Sequence, residues 1–207
     1  MSRLRTAVVD AGTGNLRSVL RALARAGVDA TLTQDPDALR EADRVVVPGQ
    51  GSFGTFAAGL EGGLGEALLE HLAADRPYLG ICLGLQILLE GSDEAPGVPG
   101  LGVIEGRVLR FPDGRRDEAG RLLKVPHMGW SEVHSADPLL ADWFYFVHSF
   151  YADPADRSLV VGEAHYGGPF CAVLRRGAAL ACQFHPEKSQ RAGARLLESL
   201  MKEQKWS

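Results

Sequence analysis

The sequence has little cysteine, no excess of basic charge and no long apolar run, and each shortage excludes something. Its three cysteines, Cys82, Cys171 and Cys182, are odd in number and spread out. That argues against a disulfide framework and for a reducing compartment. Cys171, Cys182 and His185 have neither a fourth ligand nor paired spacing, so no metal site is expected. No stretch is long enough for a membrane span and no signal peptide is visible, which places the chain in the cytoplasm with no membrane partner. The 22 Lys and Arg against 26 Asp and Glu leave a net charge of −4, so no nucleic-acid footprint follows. The local cluster Arg107, Arg110, Arg115, Arg116 and Arg121 reads as a solvated hairpin face. Repeats and low-complexity linkers are absent too. A chain of 207 residues can bury a core without staples, so one domain over residues 1–207 is expected.

What is present centres on residues 76–90, RPYLGICLGLQILLE. A short apolar run ends at Cys82, and residues 83–90 are good helix formers. Gly80 and Gly84 flank the cysteine at two before and two after, the pattern of a strand-to-helix elbow that lifts a nucleophile above a sheet edge. A bulky side chain at either position would collide with neighbouring backbone. The unpaired N–H groups at the start of the helix would favour the thiolate. Taken alone, Cys82 fits a packed core thiol equally well.

Upstream, strand and helix patterns alternate. A strand run over residues 4–10 leads through Gly12-Thr13-Gly14 to a helix ending near Ala26. Strands near 30–33 and 44–48 follow, the second after a short helix from Pro36. This spacing predicts a parallel sheet with right-handed crossovers. Gly12-x-Gly14 fails as a dinucleotide fingerprint, because Arg17 occupies the third glycine position. Pro48-Gly49-Gln50-Gly51-Ser52-Phe53 directly follows a strand, where glycines let the backbone approach a ligand or turn an N–H toward one. A plain turn would also suit it. Helical patterning then covers residues 61–73. After a Gly/Pro/acidic loop at 91–102 the chain reads as mostly β, with runs at 103–111, 122–125, 143–151, 159–166, 170–175 and 178–184. Turns such as Asp113-Gly114 and Gly167-Gly168 suggest hairpins or a mixed sheet added to the parallel core. A final helix from about Ser189 carries Ala192, Gly193, Leu196, Leu197 and Leu200 on one stripe. The fold class expected is α/β: an open, mostly parallel, doubly wound sheet with flanking helices and an added antiparallel or mixed β portion.

A cysteine nucleophile needs a base and a group that orients the base. His185, in Gln183-Phe184-His185-Pro186-Glu187, follows directly on the last apolar strand. Pro186 restricts its neighbour to extended geometry. In an extended chain His185 and Glu187 project to the same side, and the carboxylate can hold the imidazole tautomer. Read alone, the triplet also suits a polar surface turn.

Together these segments resemble the class I (triad) glutamine amidotransferases, with GICLGLQ for the nucleophile, QFHPE for base and orienter, and PGQGSF for the oxyanion loop. Within that group the chain is most similar to the glutaminase subunits of imidazole glycerol phosphate synthase, through DAGTGNLRSV, PGQGSFG, PHMGW, VHSFYA and Lys188 after His-Pro-Glu. The resemblance covers essentially the whole chain. It implies hydrolysis of L-glutamine by Cys82, His185 and Glu187, with the oxyanion held by the Leu83 amide and an amide of Gly49-Gln50-Gly51. Substrate contacts implied are Gly49, Gly51, Gln86, Glu94, Ser149 and Phe150. No cofactor is implied. The ammonia would pass to a (β/α)8-barrel cyclase subunit of a heterodimer in histidine biosynthesis, with His127, Met128, Trp130 and Lys188 toward that partner. The sequence departs from the family pattern at Ala11, Gln50 and Phe150, where aromatic, apolar and tyrosine residues are usual. The alternatives are a glutaminase subunit serving anthranilate or guanylate synthesis, or a free-standing cysteine hydrolase of the same fold.

Overall fold

Every apolar run of the N-terminal half becomes a strand: β1 (Thr6–Val9), β2 (Ala30–Thr33), β3 (Arg44–Gly49) and β4 (Tyr78–Cys82). These alternate with α1 (Leu16–Arg25), α2 (Pro36–Glu41), α3 (Phe53–Ala58), α4 (Leu64–Ala73) and the single turn α5 (Leu83–Gln86). The C-terminal half adds β5 (Gly106–Arg110), β6 (His127–His134), β7 (Trp143–His148), β8 (Phe150–Pro154), β9 (Val160–His165), β10 (Pro169–Arg176) and β11 (Ala179–Cys182), then α6 (Gln190–Lys202). The structure is a computed structural model and describes residues 4–203 and 206.

Nine strands form one sheet in the order β2-β1-β3-β4-β11-β10-β9-β6-β7, and β5 pairs with β8 in a separate ribbon. From β2 to β11 neighbours are parallel; from β11 outward they are antiparallel. The α/β class and the added antiparallel portion are therefore as the sequence predicts. Alternation along β3 explains its unbroken apolar run. Val45 and Val47 pack on one face with Leu39, Phe53, Phe56 and Leu68, while Val46 packs on the other with Leu23, Leu196 and Leu197. Helices cover both faces, so both sets of side chains are buried.

Four details differ from the sequence reading. The helix expected over residues 83–90 stops after one turn. The carbonyls of Ile87, Leu88, Leu89 and Glu90 accept from the amides of Leu101, Ile104, Gly102 and Gly100 at 2.7, 2.9, 3.2 and 3.0 Å. That loop supplies the hydrogen bonds a longer helix would have made internally. The run at 143–151 is two strands, because Ser149 carries the chain from the large sheet to the β5–β8 ribbon. Residues 122–125 form no strand beyond one bridge between Leu122 and Arg116, and Leu122 is exposed. Finally, α3 and β6 form where no helix or strand is expected. Ser52 caps α3 by accepting from Thr55 N.

The topology brings the carboxyl ends of β3, β4 and β11 side by side. Gly49 is in register with Cys82, and Ile81 with Cys182. In an open α/β sheet this edge is where ligands bind. Among the described residues no helix is long and apolar enough to cross a membrane.

Candidate active site

Cys82 ends β4 with φ 55° and ψ −103°, a backbone conformation that L residues rarely hold. Such a residue costs on the order of 1–3 kcal/mol and needs surroundings that enforce it. Gly80 and Gly84 provide them. A Cβ on Gly80 would stand 2.4 Å from Gly84 O, and one on Gly84 would stand 1.8 Å from Val47 O. The buried Tyr78 hydroxyl donates to Gly84 O at 2.6 Å and pins the same turn. The thiol is 6% exposed, in the wall of a cavity of about 390 Å³. Cys171 and Cys182 are free and fully buried, and burial pushes both thiols upward.

His185 lines the same cavity. Its Nδ1 lies 2.9 Å from Glu187 Oε1, with both side chains 1% exposed. The backbone that makes this pair is not the extended one expected: Pro186–Lys188 is a 3-10 turn, closed by Lys188 N on His185 O at 3.0 Å. Proline's fixed φ suits the first position of such a turn as well as an extended chain. His185 itself keeps the extended geometry that a residue before proline adopts. Ser189 anchors the turn, donating to His185 O at 2.7 Å and accepting from Tyr145 N at 2.9 Å. Burial works against a charged imidazole here, but the Cys82 sulfur and the Glu187 carboxylate outweigh it and raise His185 to about 9. Among the described residues its Nε2 has no hydrogen-bond partner.

The cavity gathers most of the residues expected in the site. Gln50, Gly51, Leu83, Gln86, Glu94, Ser149 and Phe150 line it with Cys82 and His185. Gly49 does not. It lies in β3, where a Cβ would stand 2.5 Å from Leu83 Cβ and 2.7 Å from the Phe56 ring. The freedom expected of this loop's glycines is therefore confined to Gly51, which has φ 102° and, among the described residues, no atom within 4 Å of where a Cβ would stand. Glu94 accepts from Phe53 N at 2.7 Å, which ties the loop after α5 to the start of α3. Lys188, expected toward a partner, lines the cavity as well. Met128 and Trp130 are exposed on β6, at 62% and 42%. His127, expected beside them as a contact, is instead buried at 2%. It stacks on Tyr166 and Phe146, and burial pushes it down to about 4.

A hydrogen-bonded line of side chains crosses the cavity floor. Gln183 Nε2 lies 3.4 Å from Cys82 Sγ, and Gln183 Oε1 lies 3.0 Å from Gln86 Nε2. Gln86 Nε2 also reaches Phe150 O at 3.1 Å, and His148 Nδ1 reaches that carbonyl at 2.8 Å. His148 Nε2 then meets His127 Nδ1 at 3.1 Å, and His127 Nε2 meets Ser131 Oγ at 2.9 Å. Burial, with His127 beside it, pushes His148 down to about 3, so both imidazoles are neutral.

A model of the family described as "Glutamine amidotransferase class-I" matches residues 7–203. The chain belongs to the class-I glutamine amidotransferases. Relatives named "Imidazole glycerol phosphate synthase subunit HisH" include one from Methylococcus capsulatus, 48% identical over 97% of each chain. Another, from Methanothermobacter thermautotrophicus, is 45% identical over 94% of this chain and 96% of its own. Among solved structures, "Structure of PurLQS from Thermotoga maritima" superposes with a TM-score of 0.72 at 17% identity, covering 97% of this chain and 99% of the other. One described as "Crystal structure of glutamine amidotransferase" gives 0.72 at 23% identity, over 95% and 99%. At that identity the structures show the fold alone.

In this class-I amidotransferase two residues of the site are not singled out by sequence reasoning, Gln183 and His148. Gln183 stands in the QFHPE stretch beside the more conspicuous His185 and Glu187. A polar residue at the end of an apolar strand is the cue that could find it, because a buried group of that kind must have a partner. His148 has a weaker cue, since its partner carbonyl is made available only by the switch of sheets at Ser149.

Proposed function

We propose that this class-I amidotransferase is the glutaminase subunit of an imidazole glycerol phosphate synthase, the whole chain acting as one domain. It would hydrolyse L-glutamine to glutamate and ammonia, and a (β/α)8-barrel cyclase would consume the ammonia. The observation that carries the reading is the pairing of a buried His185–Glu187 couple with Cys82 on a strained elbow, in one cavity.

The chemistry follows from that geometry. The Cys82 thiol passes its proton to His185 Nε2, and the sulfur attacks the γ-carbonyl carbon of glutamine. The carbonyl oxygen takes the negative charge and is met by the Leu83 amide and an amide of the Gln50 loop. Collapse of the tetrahedral intermediate expels the amide nitrogen, which takes the proton from His185 Nε2 and leaves as ammonia. The γ-glutamyl thioester remains on Cys82. Neutral His185 then removes a proton from water, which attacks the thioester carbon; glutamate departs and the thiolate–imidazolium pair is restored. Glu187 holds Nδ1–H throughout, so Nε2 always faces the reaction. Gln86, Glu94, Ser149 and Phe150 would hold the amino-acid end of the substrate. Exposed Met128 and Trp130 on β6 support that face as the docking side for the cyclase.

The test is glutamine turnover by the chain alone, with the barrel cyclase, and with cyclase plus its nucleotide ligand. Slow turnover alone and a large rise in the liganded complex are expected. Full turnover by the isolated chain would instead favour a free-standing hydrolase.

A further inference from the structure

We infer that Gln183 is a positioning residue that serves both the nucleophile and the substrate contact, donating to Cys82 sulfur while accepting from the Gln86 amide and so anchoring it with its oxygen toward the cavity. The inference rests on the glutaminase reading and deepens it.

One carbonyl sets the directions. Phe150 O can only accept, and two side-chain nitrogens approach it, Gln86 Nε2 at 3.1 Å and His148 Nδ1 at 2.8 Å. Both must therefore donate. Gln86 must present its NH2 group to Phe150, which settles an amide orientation that distances alone leave open. The second hydrogen of that NH2 points to Gln183, so Gln183 must offer its oxygen there, at 3.0 Å. Gln183 then has only its own NH2 group left to turn toward Cys82 Sγ, at 3.4 Å. On the other side of Phe150, with both imidazoles neutral, His148 donates from Nδ1, its Nε2 accepts from His127 Nδ1–H, and His127 Nε2 accepts from Ser131. Phe150 O sets the directions as far as Cys82, and the neutral imidazoles carry them on to Ser131.

This has two effects on the site. The Cys82 sulfur has a neutral donor in Gln183, which is 0% exposed. A donor on sulfur stabilises thiolate over thiol, and it also fixes where the sulfur stands before attack. The second effect concerns selection. With Nε2 of Gln86 committed twice, Oε1 is the free polar atom of a side chain that lines the cavity. The cavity thus offers an acceptor at this point, which suits an N–H donor of the substrate and opposes a carboxylate. Reversing the Gln183 amide would set its NH2 group against that of Gln86, leaving Phe150 O as the only anchor among the described residues.

Two substitutions separate the two arms. Gln183→Glu keeps an oxygen for Gln86 but replaces the donor at sulfur with an acceptor. Gln183→Met keeps the volume and removes both. The groups that titrate or carry charge around Cys82 are His185, Glu94, His148 and Lys188 in the cavity wall, Glu187 on His185 and the buried Cys182 thiol; Gln183→Glu adds a carboxylate to them, so the donor arm is read in the neutral Gln183→Met. The first readout is the pH dependence of Cys82 alkylation by iodoacetamide, followed on the Cys82 peptide. The second is kcat and KM for glutamine in the liganded cyclase complex. Gln183→Glu is expected to move the alkylation midpoint to higher pH and lower kcat about 10- to 100-fold, as for loss of a hydrogen bond to a charged group, with KM unchanged. Gln183→Met is expected to move the alkylation midpoint to higher pH, to lose kcat similarly and to raise KM about tenfold as Gln86 loses one of its two anchors, so that the glutamate variant rescues KM relative to methionine. A wild-type alkylation midpoint in Gln183→Met overturns the donor arm, and an unchanged KM in the same variant overturns the Gln86 arm. The alkylation readout requires no turnover. If wild type proved inactive on glutamine, the glutaminase reading would fail, while the alkylation midpoint would still decide the donor arm.

Discussion

Gly49 and Leu83 are in such close contact that a Cβ on the glycine would stand 2.5 Å from the leucine Cβ. The end of β3 is thereby pressed against the first residue after Cys82, and the two proposed sources of oxyanion donors are mechanically joined. Gly51, two residues on, is different: it needs φ 102° but has open space around it.

The two glycines should therefore fail in different ways. Gly49→Ala forces Leu83 or Phe56 to move and should cost about 1–3 kcal/mol of stability by overpacking, with glutaminase activity lost in the same variant. Gly51→Ala meets no neighbour, so it should bind the cyclase normally while the turnover rise caused by cyclase ligand disappears. Melting temperatures and turnover with and without cyclase ligand check both. Equal behaviour of the two variants would contradict the asymmetry.

The strain at Cys82 makes a second prediction. Cys82→Ala and Cys82→Gly should both abolish glutamine hydrolysis, with ammonia-dependent synthesis in the complex retained. They should differ in stability. Glycine adopts φ 55° freely, so Cys82→Gly should be more stable than Cys82→Ala by roughly 1–2 kcal/mol. Chemical denaturation of the two variants reads the difference directly, and a more stable alanine variant would show that the elbow is unstrained.

His185 gives stability a descending alkaline limb. Its folded value of about 9 is raised above the ordinary 6.5. The contribution is therefore complete below pH 6.5 and is lost as pH rises toward 9, because the unfolded chain releases the proton first. Removing the carboxylate by Glu187→Gln should shrink that loss. The same variant should retain more activity than His185→Ala, since the carboxylate orients the base without exchanging the proton itself. Denaturation midpoints between pH 6 and 10 test the first part, and kcat tests the second.

The neutral pair His127 and His148 has the opposite sign. Both are depressed, to about 4 and about 3, so on acidification the unfolded chain takes up protons that the folded chain refuses. Stability should fall as pH drops below 6.5 toward 4, and His148→Gln should flatten that limb by about one proton. An unchanged slope would mean that the pair is not buried neutral in solution.

Much of this is legible in the sequence because it rests on local rules. The β1, β3, β4 and β11 runs are apolar on both faces, as a covered parallel sheet requires, and Gly80-x-Cys82-x-Gly84 has few structural uses. The His185–Glu187 pairing is legible, but its backbone is not, since proline suits a 3-10 turn and an extended strand alike. What escapes depends on contacts distant in sequence. The length of α5 is set by amides of the loop at 100–104, about one loop away. The strand β6 alternates in burial but with its polarity inverted, since Met128 and Trp130 point outward while His127 is buried. Gln183 has no assignable role until β11 is known to lie beside β4.

The central claim is that Cys82 carries the γ-glutamyl group. Rapid acid quench of the liganded complex during glutamine turnover, followed by peptide mapping, tests it most directly. A γ-glutamyl adduct should appear on the peptide bearing Cys82, vanish in Cys82→Ala and persist longer in Glu187→Gln, where water activation is slowed. An adduct on the Cys171 or Cys182 peptide, or steady turnover with no adduct at Cys82 at any quench time, would contradict the account.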